Sequence, residues 1–395
     1  MLKLPIDVLQ AGMVLAKSII DERGNVLLRQ GVPLSQDYIT NLKRRGFASI
    51  YISDSDTDDI LIEDIISEEV RHTAQTTLSR IFDFARDLAG EFADADTDTL
   101  VAAIRDTNVV NALRSHAGFQ ELEDTVTSIL AEIIETEMLT GISQIRSHDD
   151  LTYGHSVNVT VTGLMIGKRL YLNRQDLKRL GAGCMLHDIG KIFINPDALH
   201  AQEGRIPSPT DIRNLREHPR LGYELLRARN PQAVMTNHVA LEHHERQDGR
   251  GYPRGLHGSN RIERSQFDRQ NILLIAEIAA IADVYDVLSV DKPERPALTP
   301  QQIADTMRRM TGAFLNREIV GLFLSMLPTL PTGIDVMVRA GRYTGYKGVV
   351  VQANKKQPDR PLVRLLANAK GDRITPIELD LAKDKTATVE AMLHQ

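Results

Sequence analysis

The distance over which apolar residues keep a helical spacing constrains this chain more than any other feature. Ile62, Ile65, Ile66 and Val70 open an amphipathic stretch running to about Gly90, and Asp94 to Asp98 breaks it. Leu122, Val126, Ile129, Leu130 and Ile133 then recur on one helix face, the pattern of core packing or of a dimer interface. From about Gly141 to Pro328 nearly every segment reads as helix. The clearest are Val157 to Leu170, Leu177 to Leu186, His218 to Arg227, Ala233 to His243, Ile272 to Leu288 and Pro300 to Met310.

Both ends of the chain depart from that period. Val14-Leu15-Ala16, Val26-Leu27-Leu28 and Ser49 to Ile52 are short apolar runs separated by turn residues, with one helix from Ser35 to Arg45 between them. Ser35 suits its N-cap and Gly46 its stop. Asp335 to Arg339, Lys347 to Gln352 and Leu362 to Leu366 read as strands divided by Gly and Pro turns. The expected fold class is mainly α, an all-helical domain with small β-rich modules at the N- and C-termini. The expected divisions are 1–55, a β-rich regulatory module; 56–140, a helical linker or dimerisation region; 141–330, the helical domain; and 331–395, a small β-rich module.

Within the helical block, two polar clusters interrupt apolar runs. His187-Asp188 follows the apolar run Ala182 to Leu186 and precedes Ile189-Gly190-Lys191. An imidazole and a carboxylate suit a first-row divalent metal, and Lys191 could reach an anion held by it. A His-Asp pair alone is weak evidence, because it also arises by chance. The second cluster, His243-His244-Glu245 leading to Asp248-Gly249-Arg250-Gly251-Tyr252-Pro253, makes coincidence a poor explanation.

Charge and cysteine content narrow the partners. A formal net charge of −6 gives no global attraction for nucleic acid, so an anionic substrate must be drawn by local cations or metal. The one cysteine, Cys184, excludes an internal disulfide framework and fits a reducing compartment. No apolar run approaches the roughly 20 residues that cross a bilayer. The start, Met1 to Pro5, lacks the apolar core of a secretory signal, so a cytoplasmic location is expected.

His187-Asp188 with Lys191, and His243-His244-Glu245 ending in Gly251-Tyr252-Pro253, resemble the HD-GYP domain. This group of HD-domain phosphohydrolases hydrolyses the bacterial second messenger cyclic di-GMP. The resemblance spans residues 145 to 328. It implies an upstream His at His155, the HD pair at His187 and Asp188, and a phosphate-contacting lysine at Lys191. Further ligands fall at His218, in a His-Pro-x-x-Gly context, at His243 and His244, and at Asp283, within Ile281-Ala282-Asp283-Val284. It also implies a loop at Gly251, Tyr252 and Pro253 that meets substrate or signalling-protein partners.

A two-metal site needs a ligand that bridges both ions, which a carboxylate can do and an imidazole cannot. Asp188 is therefore the expected bridge. His155, His187 and Asp283 would serve one ion, and His218, His243 and His244 the other. Two divalent ions sharing a water make hydroxide at neutral pH and clamp the phosphoryl oxygens for in-line attack. Asp188 and Lys191 are the expected catalytic residues, Lys191 neutralising charge on the non-bridging oxygens. The ligand set admits iron or manganese more readily than magnesium.

The chain departs from the family pattern at three places. Members with a third metal carry Glu four residues before the first His, where this chain has Leu151, so two metals are expected. The family's Arg-Pro-Tyr-Lys becomes Lys292-Pro293-Glu294-Arg295, making Lys292 and Arg295 candidate substrate contacts with their cations exchanged. The segment Ser259 to Asn271 looks longer than usual and is a candidate lid. The remaining residues favour ordinary roles. His72 and His116 read as solvated or capping, His148, His200 and His257 as surface loop residues, and His238 as no ligand. Cys184 reads as a buried thiol, and Glu245 as either an orienter of a histidine or half of a surface salt bridge. Two other functions stay open: an HD phosphohydrolase of another nucleotide, and a weakly catalytic effector that holds cyclic di-GMP.

Overall fold

The structure, a computed structural model, describes residues 2–21, 25–47, 49–60, 64–90, 96–134, 153–195, 208–264, 271–290, 297–354, 357 and 359–392. The fold is mainly α, with small antiparallel sheets at the two ends. At the N-terminal end, β1 (Leu2–Pro5) pairs with β4 (Ser49–Ile52), and β2 (Ile19–Ile20) with β3 (Val26–Leu28). The expected strand at Val14 to Ala16 makes only isolated bridges, Val14 to Pro33 and Leu15 to Ile52. Helix α1 (Gln36–Arg44) begins where its cap chemistry dictates. The Ser35 hydroxyl accepts a hydrogen bond from the Tyr38 amide, and Gly46 leaves the helix at φ +76°.

Helices α2 (Glu68–Ala89), α3 (Thr97–Ile104), α4 (Thr107–Ser115) and α5 (Gly118–Ile133) follow. They pack into one continuous core with the helices downstream. The apolar face of α5 lies inside that core: Leu122, Val126, Ile129 and Ile133 are all buried. Each such side chain stabilises by about 1.5–3 kcal/mol when fully covered. A homodimer through this stretch would have to use other residues.

Helix α6 (Tyr153–Arg169) runs through the middle of the bundle and is buried from Tyr153 to Gly167. Its sequence is rich in Val, Thr and Gly, poor helix formers, so packing on all sides rather than propensity holds it. The helices that follow are α7 (Arg174–Leu186), α8 (Pro209–Leu215), α9 (His218–Arg229), α10 (Val234–Glu242), α11 (Leu274–Ser289), α12 (Pro300–Met310) and α13 (Arg317–Met326), of which α7, α11 and α13 pack on α6. No helix among the described residues is long and apolar enough to cross a membrane.

The C-terminal sheet has the order β8-β7-β6-β5-β9, built from β5 (Asp335–Ala340), β6 (Lys347–Gln352), β7 (Leu362–Ala367), β8 (Arg373–Asp380) and β9 (Thr388–Ala391). Strand β8 carries Pro376 and lies at the edge, where a residue without an N–H breaks no ladder. The sheet meets the acidic turn after β4. Arg364 pairs with Asp59 through two nitrogens, at 2.6 and 2.8 Å, and Arg373 reaches Asp54 and Asp56.

Candidate metal centre

Four helix ends and the middle of a fifth helix bring the polar residues together. His155 lies in the first turn of α6, and His187 and Asp188 follow the last turn of α7. His218 opens α9, with Pro219 beside it where a missing N–H does no harm. His243 and His244 follow α10, and Asp283 projects from α11. Close packing sets two of these approaches. A Cβ on Gly190 would stand 2.0 Å from the His218 carbonyl oxygen and 2.6 Å from the Gly222 nitrogen. Only glycine lets the short 3-10 turn after Asp188 lie against the start of α9.

Asp188 sits at the centre, and its two oxygens face different sets of imidazoles. Oδ2 is 3.3 Å from His187 Nε2 and 3.7 Å from His155 Nε2. Oδ1 is 3.3 Å from His218 Nε2 and 3.8 Å from His243 Nε2. Candidate ligand atoms of His155, His187 and Asp188 lie within 4.8 Å of one another, as do those of His218, His243 and His244. Asp283 Oδ1 is 3.3 Å from His155 Nε2. Lys191 Nζ lies 2.6 Å from Asp188 Oδ2, with its side chain one-third exposed.

The tautomers follow from the hydrogen bonds around the rings. A carbonyl oxygen only accepts, so Nδ1 donates in His187 (to Cys184 O, 2.8 Å), in His218 (to Leu215 O, 2.6 Å) and in His243 (to Ala240 O, 2.9 Å). In His155, Nδ1 donates to Asp286 Oδ2 at 2.7 Å. Each ring therefore turns its Nε2 towards Asp188.

This arrangement suits cations. Nε2 of His218 and Nε2 of His243 are only 3.2 Å apart, although both Nδ1 protons are committed elsewhere. Two lone pairs at that distance repel unless something positive lies nearby. His187 Nε2 and Asp188 Oδ1 are buried without a hydrogen-bond partner. Burial and the neighbouring imidazoles push His243 well down and His244 down to about 3, so both rings are neutral, as metal ligation requires. Burial opposes ionisation of Asp188, but the His187 ring and the Lys191 ammonium outweigh it and hold the carboxyl well below the usual range. At His155 burial acts downward, and Asp283 and Asp286 overcome it, raising the ring to about 9. A divalent cation can replace the proton that those carboxylates favour. The residues present fit a pair of divalent metal ions.

The Gly251-Tyr252-Pro253 turn borders the cluster. The Tyr252 ring stacks on His244 at 4.8 Å, the Arg216 guanidinium lies 5.3 Å from the Tyr252 ring centroid, and the Tyr252-Pro253 peptide is cis. Gly251 comes so close to the preceding segment that a Cβ would meet Arg246 N at 2.4 Å. Glu245 takes neither expected role. It is buried and accepts hydrogen bonds from Arg254 N (2.7 Å) and Leu256 N (2.8 Å), pinning the turn from beneath. Glu242 pairs with Arg254 and accepts from Leu273 N at 2.7 Å, joining the turn to α11.

The remaining expectations divide. Cys184 is buried, and burial raises its thiol. His238 bonds within its own helix to Val234 O, and His116 accepts from the Gly118 amide as a capping residue. Of the candidate lid, the described part is tied down: Asn260 bonds Gly312 O, and Arg264 pairs with Glu277. Residues 265–270, Leu151, His148, His200, Lys292 and Arg295 lie outside the described residues. The sequence reading missed Asp286 and Asn158, the groups behind His155, although Asp286 stands one turn after Asp283 on the same helix.

The HD domain family matches residues 140–319, and the KOW domain associated with HD domain matches residues 343–395. A cyclic di-GMP phosphodiesterase of Pseudomonas aeruginosa is 27% identical over 69% of this chain and 60% of its own length. The cyclic di-GMP phosphodiesterase response regulator RpfG of Xanthomonas campestris is 36% identical over 35% of this chain and 33% of its own. The 3'3'-cGAMP-specific phosphodiesterase 3 of Vibrio cholerae is 28% identical over 46% of this chain and 36% of its own. The chain thus spans less than two thirds of each of these relatives. Residues 140–319 thus match an HD domain, with His187-Asp188 at the centre of the cluster and Gly251-Tyr252-Pro253 at its border, the two motifs by which the sequence resembles HD-GYP proteins.

Proposed function

We propose that this protein is a metal-dependent phosphodiesterase that opens cyclic di-GMP to linear pGpG, with hydrolysis to GMP as an open second step. The observation that carries the reading is the division of Asp188 between two sets of imidazoles, with Oδ2 towards His155 and His187 and Oδ1 towards His218 and His243. In this reading His155, His187 and Asp283 would hold one ion and His218, His243 and His244 the other, with Asp188 placed to serve both. Imidazole with carboxylate favours iron or manganese. Such a pair supplies an activated water and a clamp on the phosphoryl oxygens for in-line displacement.

The chain's own groups do the rest. The carbonyls of Cys184, Leu215 and Ala240 keep three Nδ1 protons in place, so the rings cannot turn away from the ligand side. Lys191 places an ammonium beside Asp188 where negative charge builds on the non-bridging phosphoryl oxygens. Tyr252 covers His244, and Gly251 and Pro253 give the turn the shape that lets it do so. That turn is also the surface for substrate and for signalling partners, and Lys292 and Arg295 are further substrate contacts.

The relatives' names divide between cyclic di-GMP and 3'3'-cGAMP, so the test compares both. The full chain is purified without oxygen, loaded with Fe(II) or Mn(II), and given each dinucleotide, with products followed by chromatography. Cyclic di-GMP is expected to be consumed faster, and Asp188→Ala to abolish turnover. Saturable binding with no product at full metal occupancy would leave an effector instead. Faster consumption of 3'3'-cGAMP would reassign the substrate.

A further inference from the structure

We infer that Arg71, on a helix outside the matched HD domain, is a positioning residue for His155 and thereby for one of the two ions. The inference rests on the ligand assignment proposed above. Arg71 lies on α2 and is 3% exposed, a degree of burial that arginine tolerates only when paired. Its Nη1 donates to Asn158 Oδ1 at 2.7 Å. Asn158 Nδ2 donates to Asp286 Oδ1 at 2.9 Å, and Asp286 Oδ2 receives the His155 Nδ1 proton at 2.7 Å. Three helices, α2, α6 and α11, contribute one continuous line of polar contacts through the core.

Chemistry fixes the direction of each link. An ionised carboxylate only accepts, so Asn158 must turn its amino group to Asp286. Its carbonyl then faces away and meets a guanidinium, which only donates. Arg71 thus holds the one amide orientation that supports Asp286. Without it, the amide can rotate and set its carbonyl oxygen against the carboxylate. Asp286 would then lose a donor and its hold on the His155 tautomer. Groups behind metal-ligating histidines change metal affinity about 10–100-fold when removed. Arg71 stands three hydrogen bonds from the ring, so the low end applies.

The test titrates Mn(II) into metal-free full-length protein and reads free Mn(II) by its paramagnetic resonance signal. The parent is expected to take up two ions. Arg71→Met is expected to keep one at parental affinity and bind the other about tenfold more weakly. Arg71→Lys, which restores a donor to Asn158, is expected to recover most of that loss. If Arg71→Met does not fold, the double variant Arg71→Met/Asn158→Leu carries the test, since it removes the guanidinium and the amide it pairs with together and takes the same donor from Asp286 Oδ1. It too should weaken a single ion. Parental affinity at both ions, or an equal loss at both, would overturn the inference. A parent that takes up no pair of ions would remove the ligand assignment, and the inference with it.

Discussion

Gly190→Ala tests how closely the HD turn must lie against α9. The added Cβ would meet the His218 carbonyl oxygen at 2.0 Å and the Gly222 nitrogen at 2.6 Å, whereas real Cβ atoms essentially never come within 3.0 Å of a neighbour. Both obstacles are backbone, so no side chain can swing away. The turn and the helix must separate by about 1 Å, and that movement carries His218 away from Asp188. Overpacking of this kind costs about 3 kcal/mol, the upper end of the usual range, because nothing soft absorbs it. For a helical unit of this size the melting temperature should fall by roughly 6–12 °C. A displacement of about 1 Å in a catalytic group can lower the rate roughly 100-fold. Thermal unfolding and turnover of cyclic di-GMP measure the two effects separately. A variant with parental melting temperature and parental kcat would refute the argument that glycine is required here.

Two further outcomes follow from single contacts. Lys191→Met should keep both metal ions, since Lys191 is not in either ligand group, yet lower kcat about 100-fold by removing a cation from the phosphoryl oxygens; metal content beside kcat checks this. Arg364→Ala should loosen the C-terminal sheet from the acidic turn, read as faster hydrogen exchange in residues 54–60, and high salt should do the same to the parent. Because Arg364 lowers Asp59, the pairing contributes fully above the usual value of 3.8 and is lost as pH falls through the lower folded value. Unchanged exchange in Arg364→Ala would remove the pairing as a docking contact.

What the sequence made legible depended on how local the signal was. Ser35 before α1 and Gly46 after it announce their roles, because capping involves residues three or four positions apart. His187-Asp188 and His243-His244 stand out because polar pairs in apolar runs need a reason. The supports of those histidines left no trace. Their Nδ1 partners are backbone carbonyls, which every residue has, or Asp286, which is 131 positions from His155. The role of Glu245 depends on amides of a turn that folds back beneath it, and Gly190 matters only because α9 arrives there. The edge strand β8 was missed because Pro376 and sparse alternation hide it until β7 supplies a partner. Leu122 to Ile133 showed an apolar face, but only packing against the other helices shows that this face is internal.

The central claim is that Asp188 bridges two ions held by separate sets of imidazoles. Anomalous diffraction from crystals grown with Mn(II) tests it most directly. The account predicts two peaks about 3.5–4 Å apart, one between His155, His187 and Asp283, the other between His218, His243 and His244, with one Asp188 oxygen towards each. A single peak, or two peaks that Asp188 does not join, would contradict it.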